Sequence, residues 1–402
     1  MKVVWLEIRN FRSIKDLRID DLDKPQVVIE GPNDVGKSNI LRALDLALRA
    51  LPAQLRKAAN LGSPIPGEPS AEPSWIRDRR SLFHRGSSRF EIALGMRFES
   101  GDQARGWIPD PNQMYIYRLT WSLTEQAGSF QPELSMGRTP AQHLEGMAWV
   151  LASAFRLVST QRAPQRETLI MSSSASWDEL ARWEGSNLKR LLFLYKNSPE
   201  IEVQERFERL RSAASTPELG IGVMSVAVRP DQTLDIRTRH DGLELDLEER
   251  GSGVQQLLTL LALTLCHRGK LLAVEEPEMN LSEPNQRLLW KKLCEFAGPS
   301  GPLDQVFVSS HSRVFEEEAA RLIISRDAEH GTQARWAEPV PNRQRPEDEL
   351  LQVTRGGGVT LPIAALNHLG VHEGRHLYLV PTEHGYQILG AQGYAELLRE
   401  EE

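Results

Sequence analysis

The sequence predicts an α/β fold with a parallel sheet, because three apolar segments end where polar residues able to carry chemistry begin. The first, residues 27–29, is a β-branched run followed by a glycine-rich loop and by apolar residues at helical spacing. The second, residues 270–274, ends in paired carboxylates, and the third, residues 305–308, ends near a histidine. Such runs are typical of buried parallel strands, whose carboxyl ends bind the ligand in open α/β sheets.

The glycine-rich loop has the complete G-x-x-x-x-G-K-S pattern of a phosphate-binding loop, and it reads Gly31-Pro32-Asn33-Asp34-Val35-Gly36-Lys37-Ser38, with Asn39 next. Its backbone N–H groups cradle the phosphates of a nucleoside triphosphate, Lys37 reaches the β and γ phosphates, and the Ser38 hydroxyl ligates Mg²⁺. A chance Gly-Lys-Ser in a turn is disfavoured, because strand, loop and helix follow in the required order. We therefore expect ATP and Mg²⁺ to bind here.

Two later strand ends supply candidate catalytic groups. Glu275 would hold the hydration shell of Mg²⁺, and Glu276 would act as a general base on the attacking water. His311 follows the apolar segment at residues 305–308 and would sense the γ-phosphate. The alternatives are an ordinary acidic loop and a structural histidine. The phosphate loop upstream favours the catalytic interpretation.

A fourth motif opens an apolar helix. Ser252 and Gly253 form a Ser-Gly turn within the motif at 249–256, which the apolar residues 257–265 follow, and such a turn offers a second anion site. Taken alone, a serine at this place is more typical of a plain helix cap.

Taken in their order along the chain, the four motifs resemble those of the ABC-type ATPases, in the branch that contains SMC, RecF and the OLD-like ATPases. Residues 6–14 and 276–281 share the resemblance, which covers residues 1–325 in outline. It implies an ABC-type ATPase head with an antiparallel β lobe and a helical insertion at 90–245. It also implies that Arg12 lies close to the nucleotide, and that Ser252 and Gly253 of one subunit complete the ATP site of another. ATP-driven formation of a homodimer follows from it.

The chain departs from the family pattern in two places. Glu275 stands where many ABC proteins have Asp, which is compatible with Mg²⁺ because either carboxylate is a hard oxygen ligand. The signature reads Gly-Ser-Gly-Val-Gln-Gln rather than Leu-Ser-Gly-Gly-Gln. Gln161 is the candidate for the family's glutamine loop.

Composition limits the class of protein. With 402 residues the chain is long enough for two or three domains, and its formal net charge of -7 argues against a uniformly basic nucleic-acid binder. No apolar run reaches membrane-spanning length and the N-terminus enters a strand, so we expect a cytoplasmic protein without a membrane partner. The only cysteines, Cys266 and Cys294, have no metal-ligand spacing and favour packing over chemistry.

Residues between the first two motifs predict a β lobe and helices. Alternation from Phe90 to Phe98 predicts a half-buried strand, with residues 115–123 pairing near it. Residues 140–215 are predicted to be mainly helical, most clearly at 186–213, and this insertion is too short for a long coiled coil. Arginines and aromatics alternate at 75–85. They suit either nucleic-acid binding or a solvated loop with packing aromatics, and the second is favoured.

The last part of the chain predicts a separate small domain. A connector at 326–350 leads to a strand, a Leu361-Pro362 turn, a short helix and a hairpin within 351–392, followed by a tail at 393–402. This order resembles the AbrB/MazE swapped-hairpin domains and implies that two chains intertwine. A segment this small cannot bury a core alone. Members of that family bind DNA through basic residues, and a pure dimerisation role is at least as well supported here.

The combined expectation is an ATP hydrolase of the OLD/RecF-like class that forms a homodimer. From the resemblance it would act in DNA repair or anti-phage (antiviral) defence, with an effector protein on another chain and with DNA as a further partner. The competing class is a non-enzymatic scaffold or DNA-binding regulator that uses nucleotide only as a switch.

Overall fold

The computed structural model describes residues 1–65, 68, 73, 75–123, 130–159, 188–266, 269–297, 301–316, 319–327 and 331–337, together with four short strands beyond them. The chain divides into two compact units, Met1–Ala337 and Glu338–Glu402. Gln161 lies outside the described residues, so the glutamine-loop assignment stays a prediction. Among the described helices, none is long and apolar enough to cross a bilayer.

Within the described ranges, the first unit contains fourteen strands and six α-helices, besides short 3₁₀ turns. The strands are β1 (Lys2–Phe11), β2 (Ile14–Ile19), β3 (Gln26–Glu30), β4 (Arg89–Arg97), β5 (Tyr115–Ser122), β6 (Glu133–Met136), β7 (Phe155–Val158), β8 (Val223–Val228), β9 (Leu234–His240), β10 (Leu243–Asp246), β11 (Leu271–Glu275), β12 (Gln305–Ser309), β13 (Ala320–Asp327) and β14 (Gly331–Trp336). The helices are α1 (Lys37–Ala58), α2 (Ala141–Leu151), α3 (Leu188–Lys196), α4 (Ile201–Ala214), α5 (Ser252–Leu265) and α6 (Glu283–Phe296).

The central sheet has six strands in the order β14-β13-β3-β12-β11-β7. All neighbours pair in parallel except β13 and β14, which form an antiparallel hairpin. Val27 and Ile29 on β3 belong to one hydrophobic core, which includes apolar side chains of α1, while Val28 belongs to a second core. Burial on both faces explains the continuous apolar runs of the sequence. The predicted α/β fold with parallel strands is confirmed.

The antiparallel lobe is a five-stranded sheet in the order β2-β1-β4-β5-β6. The predicted pairing of the strands near Phe90 and Tyr115 is confirmed, with Phe90 opposite Trp121 and their rings stacked at 4.9 Å. The expectation that β4 is only half-buried is wrong, since Ala93 and Gly95 are buried too. Gly95 lies under the Trp5 indole, so close that a Cβ at this position would come within 2.1 Å of its Nε1.

The described residues of 140–215 include three helices, α2, α3 and α4, and one strand that the sequence pattern did not predict. Residues 155–158 form β7, which pairs in parallel with β11 at the edge of the central sheet. Its four residues are too few to show a period that distinguishes a strand from a helix. Helices α3 and α4 follow and join the second core with α5 and α6. Residues 160–187 are outside the described ranges, so the start of the predicted helical stretch is not seen.

Neither cysteine forms a disulfide bond in the described part of the chain. Cys266 is buried in the second core and Cys294 is partly buried beside it, as expected of packing residues. In the described residues, no group of three or more His, Cys, Asp or Glu side chains is arranged to hold a metal ion.

The described residues of the second unit form two antiparallel strand pairs. Residues 352–353 (β15) pair with residues 359–360 (β16), and Tyr378–Thr382 (β17) pairs with Gly385–Leu389 (β18). The predicted Leu-Pro turn and short helix fall outside the described residues. The resemblance of this unit to swapped-hairpin domains therefore stays a prediction.

Candidate active site

The phosphate loop connects β3 to α1 through backbone conformations that favour glycine. Gly31 has φ 148° and lies against β13, where a Cβ would come within 2.3 Å of the Ile324 carbonyl oxygen. Gly36 has φ 109° and is the residue before α1. The middle of the loop, Pro32 to Asp34, is exposed, while Val35 and Gly36 are buried. The loop therefore has a fixed base and an open turn, as a phosphate cradle requires.

Lys37 connects this loop to the histidine predicted from the sequence. Its Nζ donates to the carbonyl oxygens of Gly31 at 2.7 Å and Pro32 at 2.9 Å, and lies 2.9 Å from Nε2 of His311. In this contact the ammonium group of Lys37 can only donate, so His311 Nε2 is its acceptor. Burial lowers the pKa of Lys37, while the charges of nearby carboxylates, chiefly Glu276, oppose the shift.

The acidic pair has one buried and one accessible member. Glu275 is 1% exposed at the end of β11, and the side chain of Glu276 is 34% exposed. Glu276 has φ 43°, a strained value for a non-glycine residue, and its N–H donates to the Ser309 carbonyl at 2.8 Å. Its Oε1 lies 3.9 Å from His311 Nε2. The structure thus brings Lys37, Glu276 and His311 together.

A third carboxylate also belongs to this cluster. Glu278 Oε1 accepts a hydrogen bond from the backbone N–H of His311 at 2.7 Å. Its charge also acts on Lys37 and raises the pKa of that lysine, against the effect of burial. We expected no role for Glu278 from the sequence, although the motif Glu-Glu-Pro-Glu contains it. The only available signal was its spacing of two residues from Glu276.

Glu275 and Ser38 supply oxygen atoms suited to Mg²⁺. Glu275 Oε1 lies 3.6 Å from Nε of Arg42, and Glu275 is paired with Ser309 in the parallel register of β11 and β12. The Ser309 hydroxyl is buried and hydrogen-bonds to no other residue in the described part of the chain. Ser38 is half-buried in the first turn of α1. A carboxylate and a hydroxyl are hard oxygen ligands, so this donor set fits the ion.

Arg12 lies in the same neighbourhood, in the turn between β1 and β2. Its guanidinium carbon is 5.8 Å from the centre of the Trp75 ring, and that of Arg42 is 5.7 Å from the same ring. Burial and the charge of Arg42 lower the pKa of Arg12, while Glu275 raises it. Trp75 is held in place because its Nε1 donates to the buried carboxylate of Asp45 at 2.8 Å.

In the Arg- and aromatic-rich segment at 75–85, the aromatic residues pack and the arginines are exposed. Trp75 packs beside the site, and the Phe83 ring meets the ring of Phe90 edge-on at 5.0 Å. These contacts favour packing for the aromatic residues. The arginines of the segment are exposed, and they are Arg77, Arg79, Arg80 and Arg85.

The Ser-Gly signature opens helix α5 as predicted. The helix begins at Ser252, which is exposed, so the N-cap residue is Gly251 and not the serine. The alternative of an ordinary serine cap is therefore wrong. Gly253 lies against the segment after the acidic pair, where a Cβ would be 3.0 Å from the Asn280 carbonyl oxygen. Asn280 Nδ2 also donates to Gln256 Oε1 at 3.1 Å.

Asn39, predicted to bind the nucleotide, contacts a neighbouring turn in this structure. Its Nδ2 donates to Ser13 Oγ at 2.8 Å. The same hydroxyl lies 3.1 Å from where a Cβ of Gly36 would be. Asn39 therefore joins the β1–β2 turn to the first turn of α1.

A phosphate loop, a strand-end acidic pair and a strand-end histidine on one parallel sheet define a P-loop ATPase. Residues 1–63 and 167–315, more than half of the chain, match the family model described as the AAA ATPase domain. The chain belongs to this family, and the predicted enzyme class, an ATPase, is confirmed.

Two curated relatives agree with this class. The chain is 25% identical over 349 residues to a protein named OLD nuclease from Thermus scotoductus, covering 79% of this chain and 61% of that protein. It is 20% identical over 341 residues to a protein named ATP/GTP phosphatase from Helicobacter pylori, covering 81% of this chain and 90% of that protein. The chain thus spans about three fifths of the length of the OLD nuclease.

Solved structures of SMC heads share the fold. An SMC head bound to the C-terminal winged-helix domain of ScpA matches with a TM-score of 0.53 and 14% identity, over 84% of this chain and 98% of that chain. A head with an extended coiled coil, bound to the C-terminal domain of ScpA derived from Pyrococcus furiosus, matches with a TM-score of 0.51 and 14% identity, over 84% of this chain and 96% of that chain. The predicted ABC-type head fold is confirmed by these matches.

Proposed function

We propose that this chain binds ATP at residues 31–39 and hydrolyses it with Glu276 as the general base. One observation carries the proposal: Lys37 Nζ lies 2.9 Å from His311 Nε2, which lies 3.9 Å from Glu276 Oε1. These three groups come from three separate parts of the sequence and converge on the loop. A chance P-loop pattern would not bring a base and an imidazole to its lysine.

The chemistry follows from the positions of these side chains. Lys37 exchanges its bonds to loop carbonyls for the β and γ phosphate oxygens, and the loop N–H groups donate to the same phosphates. Glu276 takes a proton from a water molecule while the oxygen of that water bonds to the γ-phosphorus. The bond from that phosphorus to the bridging oxygen breaks, and the electron pair leaves with ADP. His311 lies beside both groups, where its N–H or lone pair meets the γ-phosphate.

Ser38 and Glu275 would hold Mg²⁺, directly or through its water shell. When bound, the ion neutralises charge on the β and γ phosphates. Arg12 is the further cation of the site, and its contact with the Trp75 ring limits the directions its guanidinium can take. We propose that Arg12 contacts the nucleotide after ATP binds.

We further propose that two chains share each ATP site. Ser252 is exposed at the N-terminus of α5, and Met279, in the adjoining segment, is a large apolar side chain with 39% exposure. The exposed helix N-terminus offers N–H groups to an anion brought by another chain. The SMC heads of known structure share only the fold, so this arrangement rests on the surface just described and on the family resemblance.

The cellular role proposed is DNA repair or anti-phage defence, with an effector protein on another chain and DNA as partner. The relative named OLD nuclease supports a nucleic-acid context. The unit at 338–402 would join two chains in the manner of the AbrB/MazE domains.

Two matched pairs of variants test the proposed ATP hydrolysis. Lys37→Ala should lose ATP binding, while Lys57→Ala, an exposed lysine at the end of the same helix, should bind ATP normally. Glu276→Gln should keep ATP affinity and slow hydrolysis by about a hundredfold or more, because the amide cannot take a proton. Glu205→Gln, on an exposed helix face, is the control. Wild-type turnover by Glu276→Gln would refute the catalytic assignment, and wild-type ATP affinity in Lys37→Ala would refute the loop.

A further inference from the structure

The hairpin formed by β13 and β14 lies directly behind the phosphate loop. Thr332, the second residue of β14, is 1% exposed, and its Oγ1 donates to the carbonyl oxygen of Val35 at 3.0 Å. On the adjacent strand, the Ile324 carbonyl abuts Gly31, as described above. Arg321 of β13 makes two hydrogen bonds to the carboxylate of Glu30, at 2.6 and 2.9 Å. The hairpin therefore contacts the loop at both of its ends.

The Thr332 hydrogen bond determines the direction of one loop donor. The carbonyl of Val35 and the N–H of Gly36 belong to one planar peptide unit, which is trans. In a trans unit these two groups point in opposite directions. Because Thr332 holds the carbonyl toward the hairpin, the Gly36 N–H is turned away from it. The Thr332 side chain also lies close to Gly36, since a Cβ built on that glycine would be 3.2 Å from its Oγ1.

We propose that Thr332 is a positioning residue of the nucleotide site, whose hydroxyl keeps the Gly36 N–H aimed at the phosphates. This inference rests on the proposed ATP binding at residues 31–39. Thr332 lies beyond residues 1–63 and 167–315, so the match to the family model assigns it no role. It belongs to the hairpin that immediately precedes the second unit of the chain.

The test uses two substitutions of Thr332 and one matched threonine. Thr332→Val keeps the side-chain shape and loses the donor, and Thr332→Ser keeps the donor. Thr264→Val is the control, because Thr264 is 2% exposed and its Oγ1 donates to the Leu260 carbonyl at 2.8 Å, inside α5. ATP Kd is measured by calorimetry, KM and kcat by steady-state hydrolysis, and the unfolding temperature by calorimetric scanning, all on the full chain.

Thr332→Val should raise the Kd and KM for ATP about fivefold to tenfold, the usual loss for one hydrogen bond. Its kcat should stay within about twofold, because the lost contact holds ATP and the transition state alike. Thr332→Ser should return both constants to within about twofold of wild type, and Thr264→Val should leave them unchanged. If Thr332→Val does not fold, Thr332→Ala carries the same expectation.

Two outcomes would overturn the inference. One is wild-type Kd and KM in Thr332→Val or Thr332→Ala. The other is an equal rise of Kd and KM in Thr332→Val and Thr264→Val, which would mean that a general loss of stability causes the effect. A separate arm with Lys37→Ala tests the proposed function itself. If that variant binds ATP as tightly as wild type, the ATP site is wrong. If it loses binding while Thr332→Val is normal, only the role of Thr332 is wrong.

Discussion

Lys37 and His311 are 274 positions apart in the chain, and their side-chain nitrogens are 2.9 Å apart. The contact exists because β3 and β12 are parallel neighbours, so that the loop after one strand and the loop after the other meet at the same edge of the sheet. The lysine proposed to bind the phosphates therefore contacts the histidine proposed to sense the γ-phosphate.

Glu278 should determine whether His311 is positioned to sense the γ-phosphate. Its carboxylate accepts the backbone N–H of His311, so removing the acceptor frees the histidine loop. Glu278→Ala should lower kcat about tenfold, because a hydrogen bond to a charged group is lost. ATP Kd should change by less than about twofold, since that bond does not hold the nucleotide. Steady-state kinetics and calorimetry measure the two constants.

Glu278→Gln is the matched variant for this prediction. Its amide oxygen still accepts from the N–H of His311, so kcat should stay well above that of Glu278→Ala. Equal rates in the two variants would show that the charge near Lys37 matters rather than the hydrogen bond. Wild-type rates in both would show that neither does.

Ser252 should be needed by the partner chain rather than by its own. Ser252→Arg should bind ATP with normal affinity and fail to hydrolyse it, because the larger side chain blocks the partner's γ-phosphate. Co-expressed in equal amounts with Lys37→Ala, so that the two chains assort at random before they dimerise, it should recover about a quarter of wild-type activity, since half of the dimers are mixed and each has one intact site. Hydrolysis assays of the separate and co-expressed proteins measure this.

The control for this co-expression experiment is Ser212→Arg, which places the same side chain on an exposed position of α4. It should hydrolyse ATP at the wild-type rate. Normal turnover by Ser252→Arg alone would mean that each chain carries a complete site.

Three of the site residues that the sequence could predict stand beside recognisable strands: Glu275 ends one apolar strand, His311 follows another, and Lys37 ends the loop after a third. Lys37, Glu275 and His311 are recognisable because the neighbouring residues already define a strand and a loop. Glu278 and Thr332 carry no such signal. Their partners, His311 and Val35, are 33 and 297 positions away, and only the folded sheet brings them close.

Trp75 shows a different limit of sequence reasoning. Arginines interleaved with aromatics fit both base stacking and ordinary packing. The structure favours packing for Trp75, because its indole N–H donates to the carboxylate of Asp45, an internal residue of α1. No pattern within residues 75–85 contains that information, because the partner lies 30 positions upstream.

Cys266 should make the protein less stable at alkaline pH. Burial raises the pKa of its thiol to about 12, from an ordinary value of 9.0. Above pH 9 the unfolded chain loses this proton and the folded chain keeps it, so the unfolded state binds fewer protons and stability falls as pH rises. The contribution is complete below pH 9 and lost between 9 and 12, at up to about 1.4 kcal/mol per pH unit.

Urea unfolding at pH 8, 9 and 10 measures this slope. Cys266→Ala should flatten it, even though the smaller side chain lowers stability at every pH. Cys294→Ala is the control, because Cys294 is only partly buried. If the slope of Cys266→Ala between pH 9 and 10 equals that of wild type, the buried thiol is not its cause.

Deleting all residues after Leu350 should turn a permanent dimer into a monomer when ATP is absent. The second unit is compact by itself and contains the hairpin of β17 and β18. A segment of this size buries too little apolar surface to be stable alone, so pairing with a second copy would supply the missing burial. The truncated protein should still bind ATP, since the loop and its supporting hairpin lie within residues 1–337, and should dimerise only while ATP is bound.

Light scattering with and without ATP measures this, and an unrelated dimer module fused after Leu350 is the control. If the truncated and full-length proteins have the same oligomeric state without ATP, the second unit does not hold the chains together. If deletion also abolishes DNA binding and the fused module restores the dimer without restoring that binding, then the unit contacts DNA itself.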